Sequence, residues 1–172
     1  MPQFNQNITK MGRKVQISVL MAVHNTDFGL IKRAIDSVLN QSFQDFELII
    51  IDDGSQNEEQ HKLLQYVKQH EDKITYLWHT NRGQSQSINR VVPMSKGEYV
   101  TIIDSDDEYK PHHLSSCLQE IQNMDLIAST TDTIVDSEDD YYVSDLFSNT
   151  ILFAGTLIEI GICAITALKL NI

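Results

Sequence analysis

Tyr99-Val100-Thr101-Ile102-Ile103-Asp104-Ser105-Asp106-Asp107 is an apolar run that delivers three carboxylates at one point. Such a run reads as a buried strand, and in an open α/β sheet ligands sit in the crevice beyond the strand C-termini. The carboxylates therefore face a cleft. Asp104 and Asp106 flank Ser105, so a bend at the strand end turns their oxygens toward a single hard cation, Mg²⁺ or Mn²⁺, that would in turn hold a diphosphate. The competing reading is a solvated acidic turn. An EF-hand is excluded by spacing, because the sixth and twelfth loop positions counted from Asp104 hold Tyr109 and Ser115 instead of Gly and Glu.

Upstream of that strand, Ile17 to Val23 and Phe46 to Ile51 are near-continuous apolar runs of strand length. Between them Leu30, Ile31, Ala34, Ile35, Val38 and Leu39 recur at helical spacing, which makes a βαβ unit. Asp52-Asp53-Gly54-Ser55 ends the second strand, and Leu63, Leu64 and Val67 mark a second helix. Ile74 to Trp78 reads as a short strand, Asn81 to Gly83 as a polar turn, and Gln84 to Met94 as a helix leading to Gly97. Pro111 suits the first turn of a helix that Leu114, Cys117, Leu118 and Ile121 carry to Asn123, and Asp125 to Thr130 is a further strand. The alternation predicts an α/β fold with a mostly parallel sheet flanked by helices. No internal repeat is visible.

This layout brings His24-Asn25-Thr26-Asp27 and Asp52-Asp53 to the same sheet edge as Asp104 and Asp106. A nucleotide fits such a crevice, with a carboxylate accepting a hydrogen bond from base or ribose. Taken alone, Asp53 reads equally as a turn residue before Gly54. No G-x-G-x-x-G loop follows the first strand and no G-x-x-x-x-G-K-[ST] occurs, so a glycine loop is not the phosphate-binding device and a metal must serve. A response-regulator receiver would want its acidic pair after the first strand, where this chain has His24-Asn25.

The 172 residues suffice for one domain with a real core, and 41% hydrophobic with 22% charged content is that of a soluble globular protein. A formal net charge of -11 without any Lys/Arg block excludes nucleic acid as a partner. Cys117 and Cys163 have no zinc or disulfide spacing, and Cys117 falls on the apolar helical face as a core residue. Met1 to Lys14 is polar, without the apolar stretch of a signal peptide, and reads as a flexible segment of a cytoplasmic protein. The Asn7-Ile8-Thr9 sequon then has no meaning.

VQISVLMAVHN (15–25), SVLNQSFQDFELIIIDDGS (37–55), NRGQSQSINR (81–90) and GEYVTIIDSDDEYKPHHL (97–114) resemble, in order and spacing, the nucleotide-binding half of family 2 glycosyltransferases with the Rossmann-like GT-A fold. The resemblance covers Val15 to Thr131. It implies transfer of a sugar from a nucleotide diphosphate sugar, a UDP-sugar first, with inversion and with Mg²⁺ or Mn²⁺. By that similarity Asp53 contacts the base, Asp104 the ribose, a metal-bound water or the metal, and Asp106 the metal of a DXD motif. Ala22, Val23, His24 and Asn25 line the nucleotide pocket, joined by Asp52, Gly83, Asn89 and Ser105.

The chain departs from the family at Ser87-Ile88-Asn89, where many members carry Ala-Arg-Asn. The absent Arg removes a charge contact to the pyrophosphate, with Arg82 and Arg90 as candidates to replace it. Family members continue into an acceptor-binding half with an acidic general base, whereas here the resemblance fades after Thr131. Three parts are therefore expected: a flexible 1–14, a nucleotide-sugar-binding 15–131, and 132–172 as an acidic loop with an apolar tail. Asp136, Glu138, Asp139, Asp140 and Asp145 read as a solvated loop, so no general base is assigned. Ile151 to Leu170 is apolar enough for a membrane span apart from the central Glu159, and the alternatives are a buried strand and helix or a truncated or frame-shifted remnant of the acceptor half. The remnant reading predicts self-association through the tail. It also leaves open a non-catalytic nucleotide-sugar-binding module or an inactive transferase, at the inner face of the membrane or free in the cytoplasm, with the acceptor (glycan, lipid or protein) unassigned.

Overall fold

Two strands built on long apolar runs lie side by side in the interior of the sheet. In the computed structural model, which describes residues 15–56, 58–121, 126–128 and 165–169, β1 (Val15–Val23) runs parallel to β2 (Phe46–Asp53), in register from Ile17↔Phe46 to Val23↔Asp52. On its other side β1 pairs in parallel with β4 (Gly97–Ile102), from Val15↔Gly97 to Leu20↔Ile102. β3 (Ile74–His79) lies parallel to β2 at the outer edge. Strands covered on both faces need apolar residues at successive positions, and all eight residues of β2 are buried.

Side chains alternate between the faces of the sheet, which divides the core in two. Ile17, Val19, Met21 and Val23 face one layer with Ile31, Ala34, Ile35 and Val38 of α1 (Phe28–Leu39), Leu63 and Val67 of α2 (Glu58–Lys68), and Leu114 of α4 (His113–Glu120). Leu20, Ile49, Ile51 and Val100 face the other, against Ile88 and Val91 of α3 (Gln84–Val91). The helical spacing expected from the sequence is thus the spacing of the buried stripes, and Cys117 is buried as expected. The Asp27 carboxylate caps α1 by accepting the Gly29 N–H at 2.8 Å and the Leu30 N–H at 3.3 Å. The stretch expected as one helix to Met94 divides: α3 stops at Val91, and Val92–Met94 form a 3-10 turn around Pro93. Pro111 lies just ahead of α4, in a turn whose carbonyl accepts the Ser42 N–H at 2.8 Å.

The strand order is β3-β2-β1-β4, then β6 (Ile165–Lys169) and β5 (Leu126–Ala128), the last two paired antiparallel to each other and β6 antiparallel to β4. The strand expected over 125–130 is present at its centre. Because 165–169 sits in the sheet beside β4, a single helix over 151–170 is not what this chain forms, and among the described residues no helix is long and apolar enough to cross a membrane. The acidic stretch 132–145 and residues 151–164, on which the tail association rests, lie outside the described residues. The chain leaves β1 toward β2 and β3 on one side and reaches β4 on the other, so the order reverses between β1 and β4. That reversal opens a crevice at the C-terminal ends of those strands.

Candidate functional site

A cavity of about 270 Å³ occupies that crevice, lined by Ala22, Val23, His24, Thr26, Asp53, Gln84, Asp104, Ser105 and Asp106. Its size lies just below the usual range for small-molecule sites, and it opens to solvent along the sheet edge.

The β1 wall is held by its own polar groups. Asn25 takes a left-handed conformation (φ 51°), which Asn tolerates better than most residues. Its N–H donates to Ser55 Oγ at 2.9 Å, while its Oδ1 accepts the Gln56 N–H at 3.1 Å. His24 Nδ1 lies 2.8 Å from the Asp53 carbonyl oxygen. A carbonyl only accepts, so Nδ1 carries the proton and Nε2 accepts from Asn25 Nδ2 at 3.1 Å and Asn81 Nδ2 at 3.2 Å. Both ring nitrogens are engaged, and the ring is fixed at the mouth of the cavity. Thr26 Oγ1 meets Ser105 Oγ at 2.9 Å and ties this wall to the β4 loop.

Asp52 and Asp53 are adjacent and so face opposite sides of the sheet. Asp53 lines the cavity: one oxygen accepts the Arg82 N–H at 2.7 Å and the other the Gly83 N–H at 2.8 Å. Burial works against its charge, but the Arg82 amide, the Ser87 hydroxyl, the Gly83 amide and His79 together hold its carboxyl below the usual range. Asp52 departs from the expectation. It is 0% exposed, its Oδ1 accepts the Ser55 N–H at 2.7 Å and its Oδ2 accepts from Tyr76 Oη at 2.6 Å and Gln60 Nε2 at 3.2 Å. It braces α2 against β3 on the far side of the sheet and does not line the cavity.

On the β4 side, Asp104 is half-buried and accepts from Gln84 Nε2 at 2.5 Å. The Asp107 N–H donates to the Asp104 carbonyl at 3.2 Å, closing a turn that carries Ser105 and the exposed Asp106. The loop beyond is strapped down. Tyr109 Oη donates to the Ile102 carbonyl at 2.8 Å, Ser37 Oγ accepts the Tyr109 N–H at 3.0 Å, and the Tyr109 ring stacks on His113 at 4.0 Å.

Three carboxylates line the cavity and no Lys or Arg does. Crowding by protein atoms, then the charges of Asp104 and Asp106, push the Asp107 carboxyl above its ordinary range. Hard oxygen donors without a counter-cation suit Mg²⁺ or Mn²⁺. Among the described residues no three His, Cys, Asp or Glu side chains make a complete cage. An open pair fits a cation of this kind, which takes one or two carboxylates and completes its shell with water and substrate phosphates.

Other expected residues sit around the cavity, not in it. Gly83 precedes α3 with φ 90° and ψ 151°, a region only glycine visits readily, and its contribution is the N–H on Asp53. Asn89 is exposed on α3 outside the lining. Ile88 is 7% exposed within the apolar cluster under β1, β2 and β4, so this position faces the core of this chain and not a phosphate. Arg82 and Arg90 are exposed and make no ion pair among the described residues. Two lining residues, Thr26 and Gln84, were not among the expected ligands. The only sequence signal for Gln84 is its place directly after Gly83 at the start of a helix. A larger groove, about 380 Å³, runs between α1 and the 108–111 loop, but its charged groups are already paired: Arg33 with Glu108 at 3.5 Å, and Asp36 with Lys32 at 2.5 Å and with the Tyr66 hydroxyl.

Comparison with known proteins agrees with this fold. The family model described as "Glycosyl transferase family 2" matches residues 18–166. An uncharacterized glycosyltransferase of Nostoc sp. is 35% identical over 113 residues, covering 66% of this chain and 35% of that protein. Among solved structures, the mannosyltransferase PcManGT from Pyrobaculum calidifontis, in complex with GDP-Man and Mn²⁺, superposes with a TM-score of 0.60 at 20% identity, covering 67% of this chain and 35% of that one. The S. aureus TarS 1-349 structure in complex with UDP-GlcNAc gives a TM-score of 0.57 at 24% identity, covering 66% of this chain and 33% of that one. Both share the fold. The chain spans between about 35% and 38% of the length of the first curated relatives it matches.

Proposed function

We propose that this chain, which belongs to glycosyl transferase family 2, binds the nucleoside diphosphate part of a nucleotide sugar between β1 and β4 and serves transfer of the sugar to an acceptor. The observation that carries this reading is the convergence of Asp53, Asp104 and Asp106 on a cavity lined by no Lys or Arg. Without a cation, a diphosphate meets net repulsion in a crevice lined by three carboxylates and binds only weakly. In this reading the β1 end from Ala22 to Asn25 and Asp53 hold the base and ribose, Asp104 and Asp106 hold Mg²⁺ or Mn²⁺, and Ser105 supports the turn between them. The cation, when bound, supplies Lewis-acid stabilisation of the charge that grows on the departing diphosphate. The protein residues orient the donor and exclude competing geometries.

The donor we propose is a UDP-sugar, transferred with inversion by a protein on the cytoplasmic side, free or at the inner face of the membrane. Residues 15–131 supply the nucleotide-binding unit, and 132–172 belong to the acceptor side, with a glycan, lipid or protein as acceptor. A second reading, binding without turnover, is favoured by one observation. His24, the titratable lining residue that is not a carboxylate, has both ring nitrogens engaged and is not placed to take a proton from an acceptor. Calorimetric titration with UDP-glucose, UDP-GlcNAc and GDP-mannose, with and without Mn²⁺, tests the binding claim. Tight binding of one nucleotide class is expected, and no binding of any would overturn it. Release of nucleoside diphosphate in the presence of acceptors separates transfer from binding alone.

A further inference from the structure

We propose that Gln84 is a positioning residue for Asp104, a latch that decides which carboxylate oxygen is offered to the cation. The inference rests on the reading above, in which Asp104 and Asp106 hold that cation.

Gln84 and its neighbour fasten the start of α3 to both walls of the cavity. The Gly83 N–H donates to Asp53 Oδ2 at 2.8 Å on the β2 side, and Gln84 Nε2 crosses to Asp104 Oδ1 at 2.5 Å on the β4 side. Among the described residues no other side chain donates to the Asp104 carboxylate. With Oδ1 held, Oδ2 is the oxygen left for a metal. A primary amide suits this role, because it donates a charge-assisted hydrogen bond and adds no charge to a crevice already rich in carboxylates. Since the described residues form no complete cage, the affinity of the site depends on how well its few carboxylates are aimed. Outer hydrogen bonds to metal-binding carboxylates typically matter by 10- to 100-fold in metal affinity.

The test uses the full chain with three probes, Mn²⁺ alone, UDP alone and both together, followed by calorimetry and by the electron paramagnetic resonance signal of free Mn²⁺. Gln84→Met keeps the length and removes the donor. Its Mn²⁺-supported affinity for UDP should fall about ten-fold, with affinity for UDP alone and the unfolding midpoint unchanged, as expected for an exposed side chain. Gln84→Glu should bind Mn²⁺ alone more tightly than wild type, because a third carboxylate joins Asp104 and Asp106, and should bind UDP alone more weakly. Wild-type behaviour of Gln84→Met overturns the latch, and so does an equal loss with and without metal, which would make Gln84 a direct nucleotide contact. If wild type itself gains nothing from Mn²⁺, the cation site is wrong and the latch falls with it. If Mn²⁺ helps wild type and Gln84→Met equally, only the latch fails.

Discussion

Asp53 and Gly83 are joined by a 2.8 Å hydrogen bond from the glycine N–H to Oδ2, which makes a cavity-lining carboxylate the anchor of the loop after β3 as well. With the Arg82 N–H on the other oxygen, loss of the carboxylate orphans two backbone donors, each costing about 1 to 3 kcal/mol where water cannot replace the partner. Asp53→Ala should therefore lower stability in denaturant unfolding as well as weaken nucleotide binding, and Asp53→Asn, which keeps one acceptor, should lose less. Unchanged stability of Asp53→Ala would reduce the carboxylate to a ligand contact.

The two glycines around that loop should respond differently to a methyl group. Gly54 has φ 79°, and an added Cβ would lie 2.5 Å from the Asn81 nitrogen, a backbone atom that cannot swing away. Gly83 has φ 90°, but nothing lies within 4 Å of its added Cβ. Gly83→Ala should cost only its conformational strain, about 1 to 3 kcal/mol, and Gly54→Ala more. Chemical denaturation of both variants gives the order, and the reverse order would contradict the close approach of Asn81 to Gly54.

Acidification should weaken the fold in two steps. Burial against Tyr109 holds His113 below its ordinary value of 6.5, so the unfolded chain takes the proton first and stability declines as pH falls below about 6.5. Asp53 is held below its ordinary 3.8. Its contribution is complete above the unfolded value and is lost as pH falls through the lower folded one. Asp107 acts in the opposite sense, since its raised value makes its charge unfavourable at neutral pH. His113→Phe keeps a ring on Tyr109 and cannot be protonated, so the first decline should disappear while the second remains. Persistence of both declines in unfolding midpoints measured across pH would rule out His113 as the source.

Much of this was legible in the residues because burial on both faces forces apolar runs and one-sided helices force a regular stripe. The runs at 17–23 and 46–51 and the stripe through Ile31, Ala34, Ile35 and Val38 are two interior strands and the buried face of α1. Placing Asp104 and Asp106 needed only the knowledge that their strand ends there. Asp52 was not separable from Asp53, since adjacency in sequence says nothing about which of the two meets Tyr76 and Gln60 across the sheet. The role of position 88 is likewise set by tertiary packing, which turns Ile88 into the core. The strand at 165–169 pairs with residues far away in sequence, and its antiparallel register to Tyr99 and Val100 leaves no local signal.

A divalent cation on Asp104 and Asp106 is proposed to admit a nucleoside diphosphate to the crevice. Calorimetry of UDP binding to wild type and Asp106→Ala, each with Mn²⁺ and with EDTA, tests it most directly. Wild-type binding should depend on Mn²⁺ and fall about ten-fold or more in EDTA, with Asp106→Ala insensitive to the metal and as weak as wild type in EDTA. Equal affinity under all four conditions would contradict it.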